Sequence, residues 1–244
     1  MRVDVLGVGF DDVTVEGAVK SALEIIDGHR AAYAVTPNPE IVWMCRDDAS
    51  LKQAVSEAAM VLPDGIGIIL GAKVLGTPLQ SKVPGIDFAS QLMCALADKA
   101  GKVFLFGAKP GIAEKAAENL KAMYPGLEIC GTADGYFSDD APIIEKINAA
   151  RPDLLLVCLG APKQENWMRA NAGKLDIGLM IGLGGSLDVF AGEVKRAPES
   201  FQKYGLEWLY RLIKEPKRIT RMAKLPLFML ACMGQRIRGN KNAG

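Results

Sequence analysis

The sequence predicts an α/β fold: a largely parallel sheet covered by helices on both faces, followed by a helical C-terminal appendage. Three observations lead there. Short apolar segments alternate with amphipathic segments long enough for helices. The apolar segments are near-continuous, as strands buried on both faces must be, and Asp153-Leu-Leu-Leu-Val-Cys-Leu-Gly160 is the clearest. Beyond Pro198 the period becomes purely helical.

The elements follow in order. Residues Val3–Val8 read as a strand and Thr14–Asp27 as a helix with Val15, Ala18, Val19, Ala22, Leu23 and Ile26 on one face. Ala31–Val35 is a short strand stopped by Thr36-Pro-Asn-Pro39, whose two prolines forbid further pairing and present Thr36 and Asn38 from a loop. Glu40–Arg46 and Ala49–Ala58 read as helical turns, and Met60-Val-Leu62 as a brief strand broken by Pro63-Asp64-Gly65. Residues 66–75 are apolar and glycine-spaced, residues 76–85 form a polar loop, and Asp87–Lys99 is amphipathic. A second alternating unit runs through strand Lys102–Gly107, helix Gly111–Met123, strand Leu127–Thr132 and helix Ala141–Ala150. It closes with strand Asp153–Leu159, helix Gln164–Asn171 and strand Ile177–Leu183. The expected organisation is an α/β body over 1–194, with lobes of about 1–98 and 99–194, and a basic helical appendage over 195–244.

The 244 residues are half hydrophobic and 23% charged, a globular composition with ample chain for a core. The net charge of +1 hides an asymmetry. From Lys195 onward twelve Lys and Arg face three Glu, a tail of +9 on a body of −8. Such a tail calls for an anionic partner: a membrane surface, phosphate or nucleic acid. Five widely spaced cysteines with no C-x-x-C fit a reducing cytosol and give no zinc framework. The start, Met1-Arg-Val-Asp-Val, reads as a strand rather than a signal peptide, and no apolar run approaches the ~20 residues that span a bilayer.

In open α/β sheets ligands bind beyond the carboxyl ends of the strands, so the strand-end loops are where chemistry is sought. Gly160-Ala-Pro-Lys-Gln-Glu165 sets a cation, an amide and a carboxylate at one such end, equipment for an anionic ligand or simply a polar strand-to-helix loop. Phe104-Leu-Phe-Gly107-Ala-Lys-Pro-Gly111 is a strand, glycine turn and helix start without G-x-G-x-x-G. Gly182-Leu-Gly184-Gly185-Ser-Leu-Asp188 is a second glycine-rich end, where Asp188 suits a ribose or base. Tight strand–helix packing accounts equally well for both. Asp64, between proline and glycine, is the carboxylate best placed for a general base, which must reach an incoming hydroxyl at ~2.6–3.2 Å. It is equally a common turn residue. In Asp134-Gly135-Tyr136-Phe137 the aromatic suits stacking on a nucleobase or sugar, or anchors a loop. The single histidine, His29, lies between elements, which disfavours Ser-His-Asp and Cys-His mechanisms and histidine-rich metal sites. No D-x-D occurs. In the tail, Arg211, Arg218 and Arg221 share a helix face, and arginine binds phosphate bidentately. The short apolar run Leu225–Met233 beside basic residues suits interfacial membrane binding, or a surface helix packed on the body.

Taken in order, Thr36-Pro-Asn38, Leu62-Pro-Asp64-Gly65, Gly85-Ile-Asp87, Phe104-Leu-Phe-Gly107, Gly135-Tyr136-Phe137, Gly160-Ala-Pro-Lys-Gln-Glu165, Gly182 through Pro198 and Glu207-Trp-Leu-Tyr-Arg-Leu resemble the WecG/TagA/CpsF glycosyltransferases. Ser81-Lys82-Val83 departs from the Glu-Arg-Val more usual in that family, keeping the charge and losing the fork. The resemblance implies a Rossmann-like body and an inverting, metal-independent transfer without cofactor. The sugar would pass from a UDP donor to a polyprenyl-diphosphate-linked acceptor at the inner, cytoplasmic face of the membrane. The branch it looks most like moves N-acetylmannosamine onto undecaprenyl-diphosphate N-acetylglucosamine for the teichoic-acid linkage unit; UDP-ManNAcA or UDP-glucose is the alternative donor. Carried over by position, the resemblance makes Asp64 the base, with Thr36 beside it. Asn38, Gly107, Gly135, Tyr136, Gln164, Gly184 and Asp188 then form the donor side, and Arg211, Arg218 and Arg221 meet diphosphate. It implies no nucleic-acid partner and leaves a homo-oligomer open. Rival readings are a NAD-type oxidoreductase, for which the missing fingerprint is a difficulty, and a non-catalytic adaptor using the basic tail.

Overall fold

The computed structural model describes residues 2–214, 219 and 224–241. Its centre is a six-stranded sheet in the order β4-β3-β8-β7-β5-β6, with every pairing parallel. The strands are β3 (Ala32–Val35), β4 (Met60–Val61), β5 (Lys102–Gly107), β6 (Glu128–Ala133), β7 (Leu154–Cys158) and β8 (Leu179–Gly182). All five residues of β7 and all four of β8 are buried, which is why these segments lack polar alternation. β8 pairs with both β3 and β7, so the sheet runs unbroken between the two halves of the chain.

Two helical layers cover the sheet. One core joins its face to α2 (Pro39–Met44), α3 (Ala49–Ser56), α4 (Ile66–Leu75), α7 (Ala141–Ala150) and α8 (Lys163–Asn171). The other joins the opposite face to α1 (Val15–Asp27), α5 (Gly85–Ala97), α6 (Ile112–Met123) and α9 (Ser186–Phe190). This is the covered parallel sheet, Rossmann-like in class, that the alternating pattern predicts.

The N-terminal strand expectation needs correction. Instead of one strand over 3–8 there is a hairpin, β1 (Arg2–Val5) and β2 (Val8–Asp11), paired antiparallel outside the main sheet. Leu6 and Gly7 turn the chain at φ of 54° and 84°, a two-residue loop with both central residues in the left-handed region. Asp11 carries the hairpin to the sheet edge: its carboxylate accepts from Arg2 Nε at 3.0 Å and from the Val61 amide at 2.7 Å.

The chain ends in α10 (Glu199–Lys203), α11 (Glu207–Lys214) and α12 (Lys224–Lys241). α12 docks on α4 through two glycines. A Cβ on Gly71 would fall 2.8 Å from the Phe228 ring, and one on Gly67 would fall 2.9 Å from Leu225. Phe228 and Cys232 are fully buried there. At the far end Arg236 Nη1 donates to the Leu75 carbonyl at 2.9 Å, a cation at the C-terminus of α4 where the helix dipole favours one. Among the described residues no helix is long and apolar enough to cross a membrane.

Candidate active site

All six main strands point the same way, so their carboxyl ends form one edge, and the helices that follow them begin there. Helices α4, α5, α6 and α8 therefore aim their N-termini at this edge, a field suited to anions. The strand order also creates a crevice. α6 leaves β5 on one face of the sheet toward β6, whereas α8 leaves β7 on the other face toward β8. Between β5 and β7 the connections diverge, the topological switch point at which open sheets bind ligands.

A cavity of about 280 Å³ occupies that point, lined by Ala108, Lys109, Gly135, Tyr136, Cys158, Leu159 and Asp188. It lies just below the ~300–1,000 Å³ of whole-ligand pockets, so it suits one part of a ligand. Gly107 is obligatory at its floor: φ is 127°, and a Cβ would fall 2.3 Å from the Cys158 carbonyl oxygen. The Gly135 amide donates to the Ala108 carbonyl at 2.9 Å, and Asp134 accepts the Tyr136 amide at 2.8 Å in a turn that leaves Tyr136 70% exposed at the mouth. An aromatic held by its backbone with a free face suits a stacking surface. Asp188 lies in the first turn of α9 on the opposite wall. Burial pushes the Cys158 thiol up to about 12, so this wall residue is an inert packing group. A larger cavity of about 720 Å³ opens at the amino ends of β3 and β4, among Asp11, Asp12, Glu24 and Arg30. It is remote from the strand-end loops, whereas the smaller cavity sits at the switch point.

The side chains of the Gly160–Glu165 loop make hydrogen bonds within the protein. Gln164 is buried, and both ends of its amide are engaged: Oε1 accepts the Gly184 amide at 2.8 Å, and Nε2 donates to Glu165 Oε1 at 2.8 Å. It reaches this place because Gly182 has no side chain, since a Cβ there would lie 2.9 Å from Nε2. Gln164 thus shapes the glycine-rich end of β8, where Gly184 sits at φ 55°. Lys163 donates to the Gly135 carbonyl at 3.1 Å and stacks over Phe137, fixing the Tyr136 loop to α8. Glu165, in the first turn of α8, is buried with no hydrogen-bond partner for Oε2 among the described residues, and desolvation pushes its carboxyl above the usual carboxylate range.

The second half of the edge lies at β3, β4 and β8. Thr36 is buried and its hydroxyl donates to the Gly182 carbonyl at 3.2 Å, tying the ends of β3 and β8. Asn38 caps α2 by accepting the Ile41 amide at 3.1 Å. The Asp64 amide donates to the Pro37 carbonyl at 3.3 Å, which sets Asp64 beside the Thr36–Asn38 loop. The Val83 amide in turn donates to the Pro63 carbonyl at 2.7 Å, and Gly85 packs against Thr36. Asp64 and Thr36 therefore lie on neighbouring loops, Gly135, Tyr136 and Asp188 line the switch-point cavity with Gly107 next to its Ala108, and Gly184 lies at the end of β8 against Gln164.

Two cations complete the picture. Lys82 Nζ donates to the Gln202 carbonyl at 2.9 Å and contacts Glu207 Oε1 at 3.5 Å, so it fastens α10 and α11 to the body. Arg196, which the sequence reading did not single out, places Nη1 2.5 Å from Asp87 Oδ1 in the first turn of α5. Burial works against its charge, but the bond to Asp87 and the charges of Asp87, Glu207 and Asp64 hold it protonated. Arg211 lies on α11, and its side chain falls outside the described parts; Arg218 and Arg221 lie outside the described residues. Among the described residues no group of three or more His, Cys, Asp and Glu could hold a metal ion.

A parallel α/β sheet with a small crevice at its switch point and a carboxylate on the same edge is the architecture of an enzyme that carries out group transfer at its strand ends. The chain belongs to the WecG/TagA/CpsF glycosyl transferase family, whose model matches residues 3–242. It is 38% identical over 208 residues to a Bacillus spizizenii protein named N-acetylglucosaminyldiphosphoundecaprenol N-acetyl-beta-D-mannosaminyltransferase, covering 85% of this chain and 81% of that one. Proteins of the same name from Bacillus subtilis and Staphylococcus aureus are 36% and 33% identical. The first alignment covers 85% of this chain and 81% of the relative, the second 93% and 91%.

Proposed function

We propose that this protein transfers N-acetylmannosamine from a UDP donor to undecaprenyl-diphosphate-linked N-acetylglucosamine, with inversion. The observation that carries the reading is the placement of Asp64 beside the Thr36–Asn38 loop, on the same sheet edge as the switch-point cavity. The names of the relatives supply the acceptor and the transferred sugar, and the UDP donor is what the resemblance to the family implies.

In this reading the uridine enters between Tyr136 and Asp188, with the phenol ring stacking and the carboxylate accepting from the base or ribose. Gly107, Gly135 and Gly184 keep side chains away from the ligand, and Gln164 holds the Gly184 turn. The diphosphate lies along the helix N-termini and points the sugar toward Asp64. Asp64 accepts the proton of the acceptor 4-hydroxyl as its oxygen bonds to the anomeric carbon, and the electron pair of the breaking bond leaves on UDP. Attack opposite the leaving group inverts the centre. Arg211, Arg218 and Arg221 are assigned to the acceptor diphosphate.

The acceptor's polyprenyl chain requires a membrane surface, and α12 is suited to meet one. Leu227, Leu230, Met233 and Ile237 are exposed and fall on one face, opposite the buried Phe228 and Cys232, with Arg238 at its border. Such a helix lies in the interface rather than across it. The deciding experiment incubates purified protein with a lipid-diphosphate N-acetylglucosamine acceptor and UDP-ManNAc, UDP-ManNAcA or UDP-glucose, with and without EDTA. Product from UDP-ManNAc alone is expected, at a rate unchanged by EDTA; product only from another donor would redirect the assignment.

A further inference from the structure

Arg196 holds its guanidinium in an unusual state. Nη1 is anchored on Asp87, while Nε and Nη2 are sealed from water without a hydrogen-bond partner among the described residues. Those two nitrogens form the edge of the guanidinium that meets a carboxylate or phosphate side-on with two parallel bonds. Buried donors left unpaired cost free energy, and those on a charged group cost more, so a native site that keeps them calls for a missing partner. The partner must be an anion with two oxygens in one plane. The place is telling: Asp87 opens α5 next to the Thr36 loop, and Gly205 in the α10–α11 turn packs on Ile66, two residues from Asp64.

We propose that the free edge of Arg196 is a diphosphate-binding fork, making Arg196 a further ligand-binding residue of the transfer site. The inference rests on the transfer reading above for its ligand, though not for its geometry. Asp87 is the positioning residue: by holding Nη1 it aims the Nε–Nη2 edge. That edge is shielded from bulk water, so a bond it makes to a phosphate oxygen forms in a low-dielectric setting where it is strong. The diphosphate can come from the UDP donor or from the polyprenyl-linked acceptor.

The test uses the full chain and titrates inorganic pyrophosphate, UDP and uridine into the parent, Arg196→Lys, Arg196→Gln and Asp87→Asn, alongside the KM for the lipid-linked acceptor. Arg196→Lys keeps the charge and removes the fork. A donor fork predicts that Arg196→Lys loses about tenfold or more in pyrophosphate and UDP affinity, the usual worth of hydrogen bonds to a charged group, with uridine unchanged. An acceptor fork predicts the same pyrophosphate loss with UDP retained and the acceptor KM raised about tenfold. Asp87→Asn should give a smaller loss of the same kind. Affinities and KM all within twofold of the parent in folded variants would overturn the proposal. So would pyrophosphate at millimolar concentration failing to raise the melting temperature of the parent, which needs no variant at all. Arg196-dependent pyrophosphate binding in a protein that transfers no sugar would keep the fork and sink the transfer reading. Transfer unaffected by Arg196→Lys would do the reverse.

Discussion

Gln164 Oε1 accepts the Gly184 amide at 2.8 Å, so the helix after β7 holds the strand-end loop after β8. The Gln164 side chain is buried, and the donor belongs to a glycine in the left-handed region. Two strand-end loops on the site edge therefore share one side chain.

Replacing Gln164 by alanine should leave the Gly184 amide and Glu165 Oε1 without their partner. The expected loss is about 1–3 kcal/mol, the desolvation cost of orphaned buried groups. For a domain of this size that lowers the melting temperature by roughly 2–4 °C per kcal/mol. UDP affinity should fall with it, since the glycine turn loosens. Thermal unfolding and UDP titration check both, and a variant with parental values in each would show that the turn holds itself.

Asp64→Asn keeps the shape of the loop and the amide bond to Pro37. It removes the proton acceptor, whose usual worth is about 10²–10⁴ in rate. Turnover should drop by that factor while UDP binding and the circular dichroism spectrum stay parental. Near-normal turnover in Asp64→Asn would assign the base elsewhere on the edge.

Glu165 gives a pH prediction with a definite sign. Burial raises its folded-state pKa above the unfolded value, so the folded state binds the proton more tightly. The contribution is fully favourable below the unfolded carboxyl pKa and is lost as pH rises through the folded one. Glu165→Gln removes the ionisation and can keep the bond from Gln164 Nε2. The variant should therefore gain stability relative to the parent as pH is raised from about 4.5, reaching a plateau above the folded pKa. Urea midpoints measured at several pH values test this, and a difference independent of pH would mean that folding leaves the proton affinity of Glu165 unchanged.

How much of this was legible in the sequence depends on whether the signal is local. β7 is evident because five consecutive apolar residues can only be buried, and α7 because Ala141–Ala150 has both period and a clear start. The hairpin at the N-terminus was hidden because leucine does not advertise a left-handed turn, yet Leu6 adopts φ 54°. α4 carries no readable stripe because it is apolar nearly all round; α12 packs on one side of it and the body on the other. At the site, Asp64 and Tyr136 stand out through the glycines beside them. Gln164 reads in the sequence as a donor-side residue, and the missing side chain of Gly182 is what makes room for its inward turn. Arg196 was overlooked because its meaning lies in Asp87, far away along the chain.

The two faces of α12 should be separable by mutation. Phe228 is fully buried against Gly71, so Phe228→Ala should cost about 3–5 kcal/mol and free the helix from α4. Gly71→Val attacks the same contact from the other side, since its first added atom already lies 2.8 Å from the ring. The opposite face is different, because Leu230 and Ile237 are 63% and 60% exposed and have little native packing to lose. Leu230→Glu with Ile237→Glu should leave the melting temperature within about 2 °C, as surface changes typically stay within ±0.5 kcal/mol. The same pair should reduce sedimentation with anionic phospholipid vesicles and slow transfer to a polyprenyl acceptor held in a bilayer. Transfer to a short-chain, water-soluble acceptor should not change. Equal vesicle binding by parent and double variant would remove α12 from the membrane surface and leave its apolar face unassigned.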